Sequence, residues 1–478
     1  MEVCVRQGRI TRVFIKCRGI TDSPTFCLLL LSVIYILNQA DKHVLPVLIP
    51  AGLRCVNSSA DSRGLSDCGC ITFTNLQQGL LTGPAFVLTF TLAGVPLAWW
   101  ADRGSRRGLL TGGVAVWSAM VLVSAGVTDF SALLLARMGQ GISEASCNPV
   151  AYALMSELFP PESRATAFGV YHLGIYLGSA ISYALGSLTR DLCWRAILRL
   201  LAFAGFTCVP AVLLWIPSQR HPVKAAYPAD RTPIIHNPRR LFTSAPYTTL
   251  CLAASVQNLA GYATSAWLPT FYWAEHGLTP GQFGSVVGGT LLVGGCAGSI
   301  LGGAFADRLS RQRSWYKAYF VAGSLLTCLP FLLCTLTAEE TRTSFLCLTF
   351  TYLFTSMWIS PAAALVQDLF PADMRARASA VNIAIATILG GVLGPTLIGA
   401  LVTETSDTAN PASGHGVRDA LLTVLPLCYV FSSSLFLIAG VFVRMADRQE
   451  TLQKVSYKTQ NVKDIKMSIL TSTDRTVT

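Results

Sequence analysis

Four ionisable residues interrupt otherwise apolar stretches. Asp41 and Lys42 lie in the first long apolar run, beside Asn38 and His43, and Arg137 and Glu144 lie in the fourth. Arg137 and Glu144 are seven residues apart, two helical turns, and so share one helix face. Charge inside an apolar span is costly and usually marks an ion or solute path. Two carboxylates among cations can exchange protons and bind anions. Asp41 is the first proton-coupling candidate and Glu144 the second, because burial and a nearby cation act in opposite directions on a carboxylate. Arg137 is placed to hold an anionic head group, or to pair with Asp41 and Glu144 when no solute is bound. Lys42 sets the local charge. The competing reading is a permanent ion-pair network that fixes helix packing. His43 and His172 are candidates to line the same cavity. The matching spans of the second half offer polar but uncharged residues, Gln257, Asn258, Tyr262, Trp267 and Asn382. Of these, Asn258, Trp267 and Asn382 are the candidates for substrate contact. One charged wall and one amide and aromatic wall suit an amphiphile with a charged head, or an organic anion with a bulky body.

A second kind of pattern is repeated. Residues 98–107 read AWWADRGSRR and residues 303–311 read GAFADRLSR, 205 residues later. Glu157-Leu158-Phe159-Pro160 through Ala165 matches Asp368-Leu369-Phe370-Pro371 through Ala376, 211 residues later. Matched loops at nearly one offset indicate two similar halves, with a solute site between them. An Asp beside several Arg residues at helix ends makes a breakable latch. Its members would be Asp102, Arg103, Arg106, Arg107, Asp307, Arg308 and Arg311. Gly174 and Gly178, Gly390 and Gly394, and Gly294, Gly298 and Gly302 are spaced for close helix contact. Gly394-Pro395 is a candidate gating kink.

The elements that position these residues are legible from composition. The 478-residue chain is 52% hydrophobic and only 13% charged, against about 25% charged in soluble domains. Its apolar runs fall near 25–50, 76–100, 108–127, 130–155, 166–189, 194–216, 246–273, 281–305, 316–336, 344–366, 377–402 and 419–443. Each approaches the ~20 residues that cross a bilayer as a helix, and unbroken apolar runs exclude the alternating strands of a barrel. The expectation is an all-α membrane protein of twelve transmembrane helices in two six-helix pseudo-repeats. Its parts are an N-terminal tail (1–24), a first bundle (25–216), a proline-rich basic linker (217–245), a second bundle (246–444) and a polar, disordered tail (445–478). The net charge of +11 gathers in alternate loops and at both ends. That is the positive-inside pattern rather than a nucleic-acid groove, and it places both termini in the cytoplasm. Asn57-Ser58-Ser59 is a glycosylation sequon in a loop expected to face outward. Cys55, Cys68 and Cys70 share that loop, and a disulfide among them is open to an oxidising lumen. No cysteine–histidine set has metal spacing and no nucleotide loop is present, so neither metal, cofactor, direct ATP use nor enzymatic chemistry is expected.

The Asp-Arg loops resemble those of the major facilitator superfamily over residues 25 to 445, although Ala98 and Ser105 stand where that pattern has Gly. In that family the Asp locks the halves on the cytoplasmic side while the protein faces outward, a role the resemblance implies for Asp102. The first helix, LNQADKHVLP, and the fourth, RMGQGISEASCNPVAYALMSELFPPESR, resemble the Spinster branch. Asn38, Asp41, Arg137, Gly141, Glu144, Ala145, Ser146, Leu158, Phe159 and Arg164 fit its pattern. Lys42 replaces an Arg and Ser143 a Gly. Lys42 offers a point charge where Arg would offer a bidentate fork, which bears on head-group choice. The resemblance implies a secondary transporter working by alternating access, with protons and a lysophospholipid or sphingoid lipid as partners, and a monomer is the expected unit. It implies lysosomal, late endosomal or plasma membranes. The alternatives are a proton-coupled symporter of small organic or sugar acids, and a non-transporting receptor or scaffold.

Overall fold

The computed structural model describes residues 24–49, 53, 69–72, 77, 80–81, 84–187, 192–216, 243–278, 280–311, 313–371, 373–405 and 415–474. Asn57, the N-terminal tail and most of the linker lie outside these residues. The chain is almost wholly helical. The first half runs α1 (Pro24–Leu48), α2 (Pro84–Arg103), α3 (Arg106–Ser124), α4 (Phe130–Glu144), α5 (Cys147–Leu158), α6 (Arg164–Ser187) and α7 (Trp194–Trp215). The second runs α8 (Ala245–His276), α9 (Pro280–Thr290), α10 (Cys296–Leu309), α11 (Tyr316–Thr337), α12 (Thr341–Ser356), α13 (Ile359–Leu369), α14 (Arg375–Thr405) and α15 (His415–Asp474). Each of the twelve expected apolar runs holds one helix or two in succession. Among the described residues, nine spans are long and apolar enough to cross a membrane.

Three runs are broken where a local cause is visible. In the fourth, α4 stops at Glu144 and α5 starts at Cys147, because Pro149 has no N–H to donate to Ala145. In the tenth, α12 and α13 part around Met357 and Trp358, with Pro361 in the corresponding place. The two prolines lie 212 residues apart, so the halves share their helix breaks as well as their loops. In the eighth, a π-turn at Leu291–Gly295 joins α9 to α10. By contrast α14 runs through Gly394-Pro395 as one helix. The tail expected to be disordered from 445 is a correction: α15 continues to Asp474, with no Pro or Gly after Gly440 to stop it.

Two apolar cores form, one from α1–α7 around Trp117, Phe168 and Tyr171, the other from α8–α15 around Tyr247, Phe271 and Phe436. Small residues of the second half, Ala306, Ala363, Ala364, Ala376 and Ala380, join the first core and mark where the halves meet. Leu92, Leu135, Leu214 and Leu427 stand more than half exposed, an apolar outer face suited to lipid. Lipid gives helices no hydrophobic drive to associate, so close packing has to hold them. A Cβ at Gly178 would sit 2.7 Å from the Ile36 carbonyl oxygen of α1, and one at Gly394 2.5 Å from that of Leu259 in α8. Gly294, Gly298 and Gly302 press on Thr349, Leu353 and Met357. Cys70 and Cys193 are disulfide-bonded. Their loops meet where Trp194 Nε1 donates to the Gly69 carbonyl at 3.0 Å. Cys193 carried no signal in the sequence reading.

Candidate functional site

α1 and α4 bring the four charged residues together against α2 and α3. Asp41 Oδ2 accepts from Trp117 Nε1 at 3.2 Å and from Arg137 Nη1 at 3.3 Å. Arg137 also donates to Gln140 Oε1 (2.8 Å) and to the Lys42 carbonyl (3.2 Å). Glu144 pairs with Lys42 at 3.4 Å rather than with Arg137. Lys42 lies over the rings of Phe90 (4.9 Å) and Phe86 (5.3 Å), and the Arg137 guanidinium over Phe86 (4.6 Å). Asp41 and Glu144 are each 1% exposed and Arg137 3%. With all four ionised the cluster is neutral, which is what makes its burial tolerable. It is not fully satisfied, however. Among the described residues, Glu144 Oε1, Arg137 Nε and Asn38 Nδ2 are buried without a hydrogen-bond partner, and Glu144 Oε2 meets only the Lys42 ammonium. His43 is exposed and within electrostatic range of Lys42 and Arg137.

His172 is placed differently from His43. It is wholly buried and bridges the halves, with Nε2 2.7 Å from the Tyr152 hydroxyl and Nδ1 3.2 Å from the Ser360 hydroxyl of α13. Tyr35 stacks on Tyr171 at 4.3 Å beside it. The second-half candidates are spread out. Asn258 bonds within its own helix, donating to the Ala254 carbonyl at 3.0 Å. Trp267 Nε1 ties α8 to α14 through the Pro395 carbonyl at 3.0 Å. Asn382 Oδ1 is buried without a partner among the described residues. Gln257 donates to Thr355, which donates to the Tyr429 hydroxyl, each at 3.2 Å.

The Asp-Arg loops meet helix starts of the opposite half in two matching arrangements. Asp102, at the end of α2, accepts from the Ala376 and Arg377 amides at 3.2 and 3.1 Å and from Arg377 Nε at 2.9 Å, at the start of α14. Asp307, near the end of α10, accepts from the Ala165 and Thr166 amides at 3.1 and 2.6 Å and from the Thr166 hydroxyl at 2.7 Å, at the start of α6. Each carboxylate thus meets the unpaired N–H groups and positive dipole end of a helix. Around them, Asp368 pairs with Arg164 and, at 2.9 Å, with Lys317. Arg106 pairs with Glu157 at 2.6 Å. Arg106 was expected in the latch, whereas Arg377, Arg164, Lys317 and Asp368 join it without having been expected there. Arg103 instead lies over Trp99 at 4.0 Å. Arg107 and Arg308 form no ion pair among the described residues, and Arg308 and Arg311 are exposed at the rim of a cleft.

Comparison with known proteins bears on the fold and the family. A 3-(3-hydroxy-phenyl)propionate transporter of Escherichia coli is 28% identical, over 68% of this chain and 79% of its own. A sphingosine-1-phosphate transporter SPNS2 of Danio rerio is 24% identical, over 80% and 79%. Among solved structures, a bacterial homologue of the human lysosomal transporter Spinster, inward-facing and occupied, aligns with TM-score 0.53 at 22% identity, covering 89% of this chain and 97% of that one. The human organic anion transporter MFSD10 aligns with TM-score 0.63 at 14% identity, over 88% and 99%. The sequence profile of the Major Facilitator Superfamily matches residues 31–395 and 250–471. This chain, Spinster-like in its motifs, is therefore a multi-pass membrane transporter that belongs to the Major Facilitator Superfamily.

Proposed function

We propose that the chain is a proton-linked exporter of an amphiphilic lipid anion, a lysophospholipid or sphingoid lipid, working by alternating access. The carrying observation is the buried cluster of Asp41, Lys42, Arg137 and Glu144, in which Glu144 Oε1 has no partner among the described residues while Oε2 meets only Lys42. A purely structural network would have its buried polar atoms filled, whereas unfilled ones suit an occupant that comes and goes. Protonating Asp41 or Glu144 removes a negative charge and leaves Lys42 or Arg137 uncompensated, so an anionic head group is then favoured. Losing the proton restores the pairs and expels it. Proton and anion therefore travel together. Asn38, His43, Asn258, Trp267 and Asn382 are assigned to contacts along the path, and the apolar and aromatic second half to the lipid body. His172 would be met after the halves part. Asp102 and Asp307 hold the latch end closed and must release for the cavity to alternate.

The latch end is assigned to the cytoplasm. Disulfides persist in oxidising compartments, and Cys70 and Cys193 lie in loops of the opposite end. Lysosomal, late endosomal or plasma membranes are the expected sites, and a monomer the expected unit. A second reading, proton-coupled symport of an organic acid, draws on the likeness to the E. coli transporter and the same anion-binding Arg137. Lipid profiling of vesicles with wild type, Asp41→Asn, Glu144→Gln and no transporter, with and without a pH gradient, separates them. Gradient-dependent movement of lysophospholipid or sphingoid lipid, lost in both variants, is expected. Uptake of an aromatic acid with no lipid change would replace the first reading by the second.

A further inference from the structure

At the latch end a cleft of about 430 Å³ opens between α1, α6 and α10, a volume within the ~300–1,000 Å³ range of small-molecule sites. Its walls divide by chemistry. Leu28, Phe159, Ala167 and Val170 form an apolar side, and Glu162, Arg308 and Arg311 a charged side. Leu28 lies in the second turn of α1 and Arg308 in the last turn of α10. Both therefore sit at the same end of the helices, where lipid head groups lie. Arg308 and Glu162 are exposed and have no ion pair or hydrogen bond among the described residues. Arg308 is not needed to neutralise Asp307, which the start of α6 already caps and Lys317 approaches to 3.9 Å.

We propose that this cleft seats the head group of a zwitterionic phospholipid of the surrounding bilayer, with its phosphate against Arg308 and Arg311 and its amine toward Glu162. Arg308 and Glu162, one of each sign and neither ion-paired among the described residues, fit a head group that carries both signs. A purely anionic head group would meet Glu162 as a like charge, and the basic N-terminal tail (Arg6, Arg9, Arg12, Lys16, Arg18) would meet Arg308 and Arg311 in the same way. The acyl chains leave along Leu28 and Val170. Because α1 and α6 belong to one half and α10 to the other, the seat exists only while Asp307 holds α6. Bound lipid therefore favours the latched state by its differential affinity. The proposal is independent of the transported solute.

The test uses the purified, delipidated full chain, given phosphatidylethanolamine, phosphatidylcholine or phosphatidylglycerol, and read by native mass spectrometry and thermal stability. One retained zwitterionic lipid per chain and a raised Tm are expected. Arg308→Ala should weaken retention about tenfold, the scale of one charge-assisted contact. Glu162→Gln should erase the preference over phosphatidylglycerol, and Arg342→Ala, at the opposite end, should change nothing. Absence of retained lipid, equal retention of phosphatidylglycerol by wild type, or an Arg308→Ala chain that binds normally would each overturn the proposal. Equal stabilisation by free phosphoethanolamine would overturn the lipid as the source.

Discussion

Lys317 carries its charge with no exposed surface, held by Asp368 at 2.9 Å, the Pro161 carbonyl at 3.1 Å and Asp307 at 3.9 Å. A charge so placed is stable only as long as its partners remain. Lys317→Met keeps the bulk and leaves Asp368 with Arg164 alone across the halves, and the usual loss for breaking a buried pair is ~3–5 kcal/mol. The expected outcome is a Tm several degrees lower, while Arg313→Met, whose pair with Asp447 is exposed, stays near wild type. This contrast also explains what the sequence could reveal at this scale. Asp41, Lys42, Arg137 and Glu144 stand out because a charge in an apolar run is visible in one dimension. Lys317 sits at a helix start between basic loop residues and looks like topology, since its partner Asp368 is 51 residues away. Trp117, which donates to Asp41 across 76 residues, looks like any apolar-span aromatic.

The elements were legible wherever length and hydropathy decide, and less so where one residue edits a helix. Apolar runs announce spans, but Pro149 and Pro361 break theirs while Pro395 does not, and sequence spacing does not separate the cases. The break after Glu144 matters because it ends α4 beside the charged cluster, and Ser146 turns there against Gly113. Pro149→Ala restores a donor for the Ala145 carbonyl and should favour one continuous helix. The expected result is an unchanged or higher Tm with slower transport, since the cluster is then held by a stiffer element. Unchanged transport would make the break incidental. His172 joins α5 and α6 by one hydrogen bond within the first half and reaches α13 of the second half by another. His172→Phe keeps an aromatic ring but removes both. It should speed alkylation of a cysteine introduced at Ser360, and alkylation as slow as in a Ser360→Cys chain with His172 intact would show that packing alone closes that level.

At the scale of the molecule, the two halves are bound by reciprocal caps. Asp102 of the first half holds the start of α14 in the second, and Asp307 of the second holds the start of α6 in the first. The repeat in the sequence foretold two Asp-Arg loops, but not that each would reach into the other half, because a repeat shows likeness and not contact. Reciprocity has a consequence for opening. One charge-assisted cap is worth ~1–2 kcal/mol, so one lost cap should raise the open population about tenfold. If the two caps are independent, Asp102→Asn and Asp307→Asn each accelerate alkylation of a cysteine introduced at the buried Ser156 about tenfold, and the double variant about a hundredfold. If opening is a single rigid-body step that breaks both together, the same additivity holds at equilibrium. If one cap can open while the other stays shut, a single variant exposes Ser156 as fully as the double. Additive rates therefore show that exposing Ser156 requires both caps to break, and saturation by either single variant shows that breaking one cap alone suffices.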